Sequence, residues 1–509
     1  MSPLDLNGSA HLNGHSTNSH DHITKPSSKP SFETRAIHIG SEPSLSASAG
    51  VVPSLDLSTT YAQSSAGQPS KGFEYSRSSN PTRLALERLV ASLEGQADVA
   101  LEKNLQAQGI DANTFAGGPA AIAFASGSAA TATVVSGLAG QGGHVVSVGD
   151  VYGGTSRYML QVASVQSGVE TTFVDMAYDL KDESPVQPLS EAEEEALQRE
   201  EDDAIVKRVE QAIRPDTKLI WAETPTNPML SLVPIALLAQ VAKAHSIPLV
   251  IDNTFGNPYY QNPLLLGATV VTHSGTKYLG GHSDVISGFA ITSDPAILTK
   301  LRFLQNAYGN VPSPFDAWLI IRSLKTLAVR SRQHGLNALA LAAYLWEEAV
   351  PAGLVRDVRY PGLKRQVESR GEKRERELAW SQLSPAAQRW ATKQGFSRDG
   401  PRGFPSGGML SFHIVSNHPQ SQTETGAANA FLRRLKIFTL AESLGGVESL
   451  IEAPLLMTHG GVAGERRREL GIDGELIRSS VGLEDEEDLI EDVRTALDAV
   501  SAQVRRGQF

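Results

Sequence analysis

The chain has 509 residues, too many for one compact core, which points to two domains with appendages. Its formal net charge of −11 argues against binding nucleic acid through bulk charge, and short basic runs such as Arg466-Arg467-Arg468 have acidic neighbours. No cysteine is present, which excludes disulfides, iron–sulfur clusters, cysteine zinc sites and a thiol nucleophile.

Residues 1–30 are rich in Ser, Asn, His and Pro and read as a disordered tail. They lack the basic start and apolar centre of a secretory signal. His15, His20 and His22 have no second ligand cluster nearby, so no metal site is expected. No apolar run approaches the ~18 residues of a membrane span, and a soluble, cytoplasmic protein is the expectation.

From about Ser31 the composition becomes that of a folded chain. Short β-like runs follow at 121–126, 144–149, 171–176, 218–223, 248–253 and 268–273. Helical spacing lies between them, as in Ile235, Leu238, Val241 and Ala242. Strands that are apolar on both faces and alternate with helices predict an α/β fold with a parallel sheet. Ligands bind at the carboxyl ends of such strands, where Ser126, Gly127, Glu223, Asp252, Ser274 and Lys277 fall. Three segments read as solvated insertions: 101–118, 178–204 with its acidic run "EAEEEALQREEDD", and 365–406. Past about residue 328, helices and a few strands such as "GGMLSFHI" (407–414) predict a second, smaller α+β domain.

Lys277 ends an apolar run and sits in "HSGTKYLGG" (273–281). An apolar setting and neighbouring positive charge lower a lysine pKa, and the neutral amine can hold an aldehyde cofactor as a Schiff base. Pyridoxal phosphate further needs a carboxylate at its pyridine nitrogen, donors for its phosphate and a group packed on its ring. Asp252 ends a strand one strand–helix–strand step before Lys277. Ser126-Gly127-Ser128 lies between a strand and a helix, where backbone N–H groups face an anion, and Ser274 and Thr276 add hydroxyls. Tyr152 of "DVYGGT" is the candidate to stack on the ring.

The segments "FEYSRSSNPTRLALE" (73–87), "AFASGSAATAT" (123–133), "ETPTNP" (223–228), "VIDNTF" (250–255), "HSGTKYLGGHSDV" (273–285) and "FTLAESLGGVESLIEAPLLMTH" (438–459) resemble the pyridoxal-phosphate enzymes of cysteine and methionine transsulfuration. The resemblance covers most of residues 31–509 outside the insertions. It implies an aspartate-aminotransferase-like large domain with a mixed, mostly parallel sheet (79–328), preceded by an arm (31–78) and followed by a smaller α+β domain (329–509). It implies Lys277 as the lysine that bonds pyridoxal 5'-phosphate and moves protons, and Asp252 and Thr254 at the ring, with Tyr152 stacked on it. Gly127, Ser128, Ser274 and Thr276 would hold the phosphate, with Tyr75 and Arg77 reaching in from a neighbouring subunit of a homotetramer. Arg478 and Asn227 would clamp the substrate α-carboxylate, with Arg157 and Ser443 also at the substrate. Glu74 and Glu442 would attract a distal ammonium group.

The implied reaction is γ-elimination of L-cystathionine to L-cysteine, 2-oxobutanoate and ammonia. Either Tyr152 or Lys277 protonates the leaving sulfur. Two alternatives stand beside it: γ-replacement on an O-acylhomoserine, and a catalytically silent scaffold relative. One departure from the family is Gly275, where alanine is frequent; the glycine is expected to loosen the loop. The glycines after Lys277 are expected to leave room for the cofactor and for backbone to approach.

Overall fold

The computed structural model describes residues 30–45, 48–95, 119–179, 190–416, 426–460 and 464–504. The tail with its histidines, the 101–118 insertion and residues 180–189 of the second insertion lie outside the described residues. Seven strands form the large sheet: β1 (Ala120–Phe124), β2 (His144–Val148), β3 (Glu170–Val174), β4 (Thr217–Glu223), β5 (Leu249–Asp252), β6 (Val270–Ser274) and β7 (Gly288–Thr292). Their order is β1-β7-β6-β5-β4-β2-β3. The pairs from β3 through to β6 are parallel, and β7 is antiparallel to both of its neighbours. The sheet is therefore mixed and mostly parallel, as expected, and all six anticipated strands are present. The strand that the sequence reading missed is β7, whose five residues are all buried.

Helices supply the reason for the doubly apolar strands. Helix Ile235–Ala244 buries the four residues whose spacing predicted it, Ile235, Leu238, Val241 and Ala242. Trp221 of β4 is fully buried in the resulting core. Burying each such side chain contributes ~1.5–3 kcal/mol, which drives these faces together.

A second sheet of five strands has the order β8-β9-β12-β11-β10: β8 (Val355–Arg359), β9 (Met409–Ile414), β10 (Thr439–Leu440), β11 (Leu450–Glu452) and β12 (Leu476–Ser480). Its core is separate and includes residues of helices Leu327–Tyr344 and Glu486–Val504. No helix among the described residues is long and apolar enough to cross a membrane.

The 365–406 segment differs from the solvated surface that its charge suggested. Capped by Ser369 and Ser384, it forms helices Arg370–Ser381 and Pro385–Lys393. Ala379, Leu383, Ala386, Ala387 and Phe404 join the core of the large sheet. Gln382 Oε1 accepts from Ile235 N at 2.8 Å, so the segment straps back across the molecule. Its charges face the acidic run, which is helical (Glu191–Ala212): Arg370 and Arg374 pair with Glu201 at 2.6 and 3.2 Å. The high charge of both segments is used between them as well as toward solvent.

Candidate active site

The ends of β4, β5 and β6, the start of the helix after β1, and the loops before β11 and at β12 enclose one pocket. It gathers Ser126, Gly127, Ser128, Tyr152, Asn227, Asp252, Thr254, Ser274, Thr276, Lys277, Glu442, Ser443 and Arg478, thirteen of the anticipated residues. Glu74, Tyr75 and Arg77 lie outside it. They are exposed, and Arg77 stacks 5.4 Å over the Tyr75 ring and donates from Nε to Asn306 at 3.2 Å. Arg157 is also exposed and absent from the lining, although Gly154 and Thr155 of its own helix contribute to it.

Ser126 caps helix Gly127–Ala139, and its side chain accepts from Ala129 N at 3.0 Å. The first-turn N–H groups of that helix open onto the pocket and favour an anion. The cup is narrow: a Cβ on Gly127 would lie 2.8 Å from Ser274 Cβ. Opposite, Thr254 donates to Asp252 Oδ1 twice, from its backbone N at 3.0 Å and from Oγ1 at 2.6 Å. The same Oγ1 accepts from Ser274 N at 2.9 Å, which ties β5 to β6.

Asp252 is register-paired with Glu223 on β4, so two carboxylates end adjacent strands on one side of the sheet. Burial raises Glu223 well above the ordinary range, and the nearby Asp252 raises it further. Burial raises Asp252 as well, but the Thr254 donors oppose it. Glu223 is therefore the more readily protonated of the two, while the Thr254 donors favour the charged form of Asp252. Glu223 Oε2 accepts from Tyr152 N at 3.0 Å and so fixes the loop that presents the tyrosine ring.

Burial lowers the free Lys277 amine to about 8, helped by the positive charge of Arg478 and opposed by Glu452 and Glu442. Its Nζ donates to Ser443 Oγ at 2.7 Å. Ser443 is held at φ 120°, a strained conformation for a residue with a side chain, which aims its hydroxyl at the lysine. Arg478 is buried. It donates to Asn227 Oδ1 at 3.0 Å and Ser443 O at 3.1 Å, and pairs with Glu452 at 3.1 Å. Its Nε has no partner among the described residues, a buried donor suited to an incoming carboxylate.

Two expectations about glycines change. A Cβ on Gly275 would stand 2.5 Å from the Phe289 ring, so glycine is demanded by packing and the loop is tight rather than loose. Gly281 has φ +65°, and a Cβ there would meet Arg330 Nη1 at 2.1 Å. The room after Lys277 thus serves Arg330, which donates to Tyr278 O at 2.8 Å, and not a cofactor.

Glu452 and Thr458 were not singled out from sequence as site residues. Both belong to the resembling segment 438–459, but their link to Arg478 depends on the register of β11 against β12, in which Glu452 faces Arg478.

Residues 33–113, 102–192, 194–384 and 401–498 match the family described as Cys/Met metabolism PLP-dependent enzyme. The chain is 41% identical over 470 residues to a cystathionine gamma-lyase of Saccharomyces cerevisiae, spanning 92% of this chain and 97% of that one. It is 42% identical to a cystathionine gamma-lyase of Sus scrofa over 92% of this chain and 94% of that one. The solved structure of the yeast cystathionine gamma-lyase superposes with a TM-score of 0.72 at 39% identity, covering 94% of this chain and all of that one. The chain belongs to the Cys/Met metabolism PLP-dependent enzymes.

Proposed function

We propose that this enzyme cleaves the Cγ–S bond of L-cystathionine to give L-cysteine, 2-oxobutanoate and ammonia. The observation that carries the reading is one pocket in which a lysine amine lowered to about 8, a buried arginine with a free Nε–H and the carboxylate Glu442 converge. The relatives at 41–42% identity that bear the name cystathionine gamma-lyase support it.

The residues present fit pyridoxal 5'-phosphate. The cup at Gly127 has no space for a side chain, the Thr254 donors favour the charged form of Asp252, and burial lowers the Lys277 amine to about 8. When bound, the cofactor supplies an electron sink that makes the substrate Cα and Cβ protons acidic. Lys277 bonds it, Asp252 pairs with its ring nitrogen, and Tyr152 packs on the ring. Ser126, Gly127, Ser128, Ser274 and Thr276 take the phosphate.

Arg478 and Asn227 hold the α-carboxylate through charge-assisted hydrogen bonds, and Ser443 holds Lys277 Nζ toward the reacting carbon. The neutral Lys277 amine takes the Cα proton, work typically worth ~10²–10⁴-fold in rate. Lys277 and Tyr152 are the two groups positioned to deliver a proton to the departing sulfur. Glu442 attracts the distal ammonium of the substrate. Arg157 is left out of this set because its exposed side chain is not part of the pocket.

Glu74, Tyr75 and Arg77 are proposed to complete the site of a neighbouring subunit in a cytoplasmic homotetramer. The chain is divided into an arm (31–78), a cofactor domain (79–328) and a C-terminal domain (329–509). The hydrophobic core changes between Ala328 and Ala338, which supports the boundary, while the 365–406 segment returns to the core of the large sheet.

Product analysis tests the reaction. L-Cystathionine should yield 2-oxobutanoate and free cysteine in equal amounts, and an O-acylhomoserine with cysteine should yield little cystathionine. The reverse pattern would make the enzyme a synthase, and no turnover of either would leave a scaffold.

A further inference from the structure

A carboxylate sits directly against the arginine proposed to receive the substrate. Glu452 Oε1 lies 3.1 Å from Arg478 Nη1, with both side chains buried. If that pair were fully ionised, its net charge would be zero, and a second carboxylate would find little attraction there.

The hydrogen bonds behind Glu452 change this count. Thr458 Oγ1 is 2.6 Å from Glu452 Oε1 and 2.9 Å from His459 Nδ1. His459 Nε2 is 3.1 Å from Asn227 O, and Asn227 Oδ1 returns to Arg478 Nη1 at 3.0 Å, closing a ring. A carbonyl oxygen only accepts, so Nε2 carries a hydrogen. The Thr458 hydroxyl has a single hydrogen and two neighbours. If it donates to Glu452, then His459 Nδ1 must donate to it, and the imidazole is doubly protonated. If it donates to Nδ1, then Glu452 must itself donate to Thr458 and is neutral. The remaining arrangement sets two lone pairs 2.9 Å apart.

We propose that Glu452, Thr458 and His459 hold one shared proton behind the substrate clamp, so that this trio is neutral and the charge of Arg478 stays available to the substrate carboxylate. The three are positioning residues, acting through Arg478 and Asn227, and the proposal rests on the reading of those two as the α-carboxylate clamp. Burial brings His459 down to about 4, with Arg478 also lowering it, while burial raises Glu452 against the pull of Arg478. The shared proton therefore rests on the glutamate side. The other titratable groups facing Glu452 are Glu442 and Lys277.

The test is steady-state kinetics of the holoenzyme on L-cystathionine, with cofactor absorbance confirming an intact site. Thr458→Val keeps the shape but removes the hydroxyl that accepts from neutral Glu452, so the neutral form loses its partner and Glu452 ionises against Arg478. KM should rise about tenfold or more, the weight of one charge-assisted hydrogen bond, with the loss falling mainly on KM. Thr458→Ser should restore it. Glu452→Gln should keep KM near the wild-type value, and Glu452→Gln should rescue Thr458→Val in the double variant. Equal losses in the two single variants, additive losses in the double, or an unchanged KM in Thr458→Val would overturn the proposal. Arg478→Lys separates the two readings. An unchanged KM there sinks the clamp itself, whereas a raised KM without the rescue pattern sinks only the shared proton.

Discussion

Thr254→Val isolates the contact that favours the charged form of Asp252. Valine matches threonine in shape, so the substitution removes a hydroxyl and little else. That hydroxyl donates to Asp252 Oδ1 at 2.6 Å and accepts from Ser274 N at 2.9 Å. The backbone N–H of residue 254, at 3.0 Å from the same carboxylate oxygen, survives. A hydrogen bond to a charged group contributes ~1.5–3 kcal/mol, and an orphaned buried N–H costs ~1–3 kcal/mol. The first figure bears on the cofactor, because it sets how firmly Asp252 holds its charge for the ring nitrogen. The second bears on folding stability. Pyridoxal phosphate affinity, measured by equilibrium dialysis, should fall ~10–100-fold. The variant carboxylate is easier to protonate, so the loss should deepen as pH falls. Thr254→Ser should stay within a few-fold of wild type. Affinity within twofold of wild type in Thr254→Val, with the same pH dependence, would refute the role given to this hydroxyl.

Lys277→Ala should lose the borohydride-stable cofactor adduct, and an adduct of unchanged mass on the same peptide would remove the central assignment. With the free Lys277 amine at about 8, the rate of cofactor rebinding to stripped protein should climb about tenfold per pH unit below pH 8 and level off above it; a flat profile contradicts the lowered amine. Glu442→Ala should cost more activity on cystathionine than on cysteine or homocysteine, whereas equal losses on all three indicate a structural carboxylate. Gly275→Ala brings a methyl within 2.5 Å of the Phe289 ring and should destabilise the fold by ~1–3 kcal/mol in urea unfolding. Stability equal to wild type would show that the ring yields freely.

The strand ends were legible because each apolar run stops at a polar residue, as at Glu223, Asp252 and Ser274. Their convergence follows from parallel pairing, so order along the chain sufficed to bring Asp252 and Lys277 into one pocket. Contacts fixed by long-range register carried no such mark. Glu452 meets Arg478 across β11 and β12, and Gly281 makes room for Arg330 from a distant helix. The 365–406 segment misled for another reason. Its charge dominates its composition, while part of the face it buries is small residues, Ala379, Ala386 and Ala387, which leave a weak apolar signal. Strand β7 was overlooked because its antiparallel place between β1 and β6 breaks the alternation of strand and helix.

The buried acids of the site share one physical problem and reach different answers. Burial favours the protonated form of each, so an acid stays charged only where donors outweigh the lost water. Asp252 has the N–H and the hydroxyl of Thr254 on one oxygen, and these donors favour the anion that a protonated ring nitrogen requires. Glu223, its register partner, has a backbone donor from Tyr152 but a neighbouring negative charge, and with burial this pushes it toward the protonated form. Neither state is set by residue type; exchanging the donors would exchange the roles. The same accounting at Glu452 turns on a single hydroxyl hydrogen shared between two neighbours. Thr254 and Thr458 are thus the switches on which the charge pattern depends, although neither is an ionisable group.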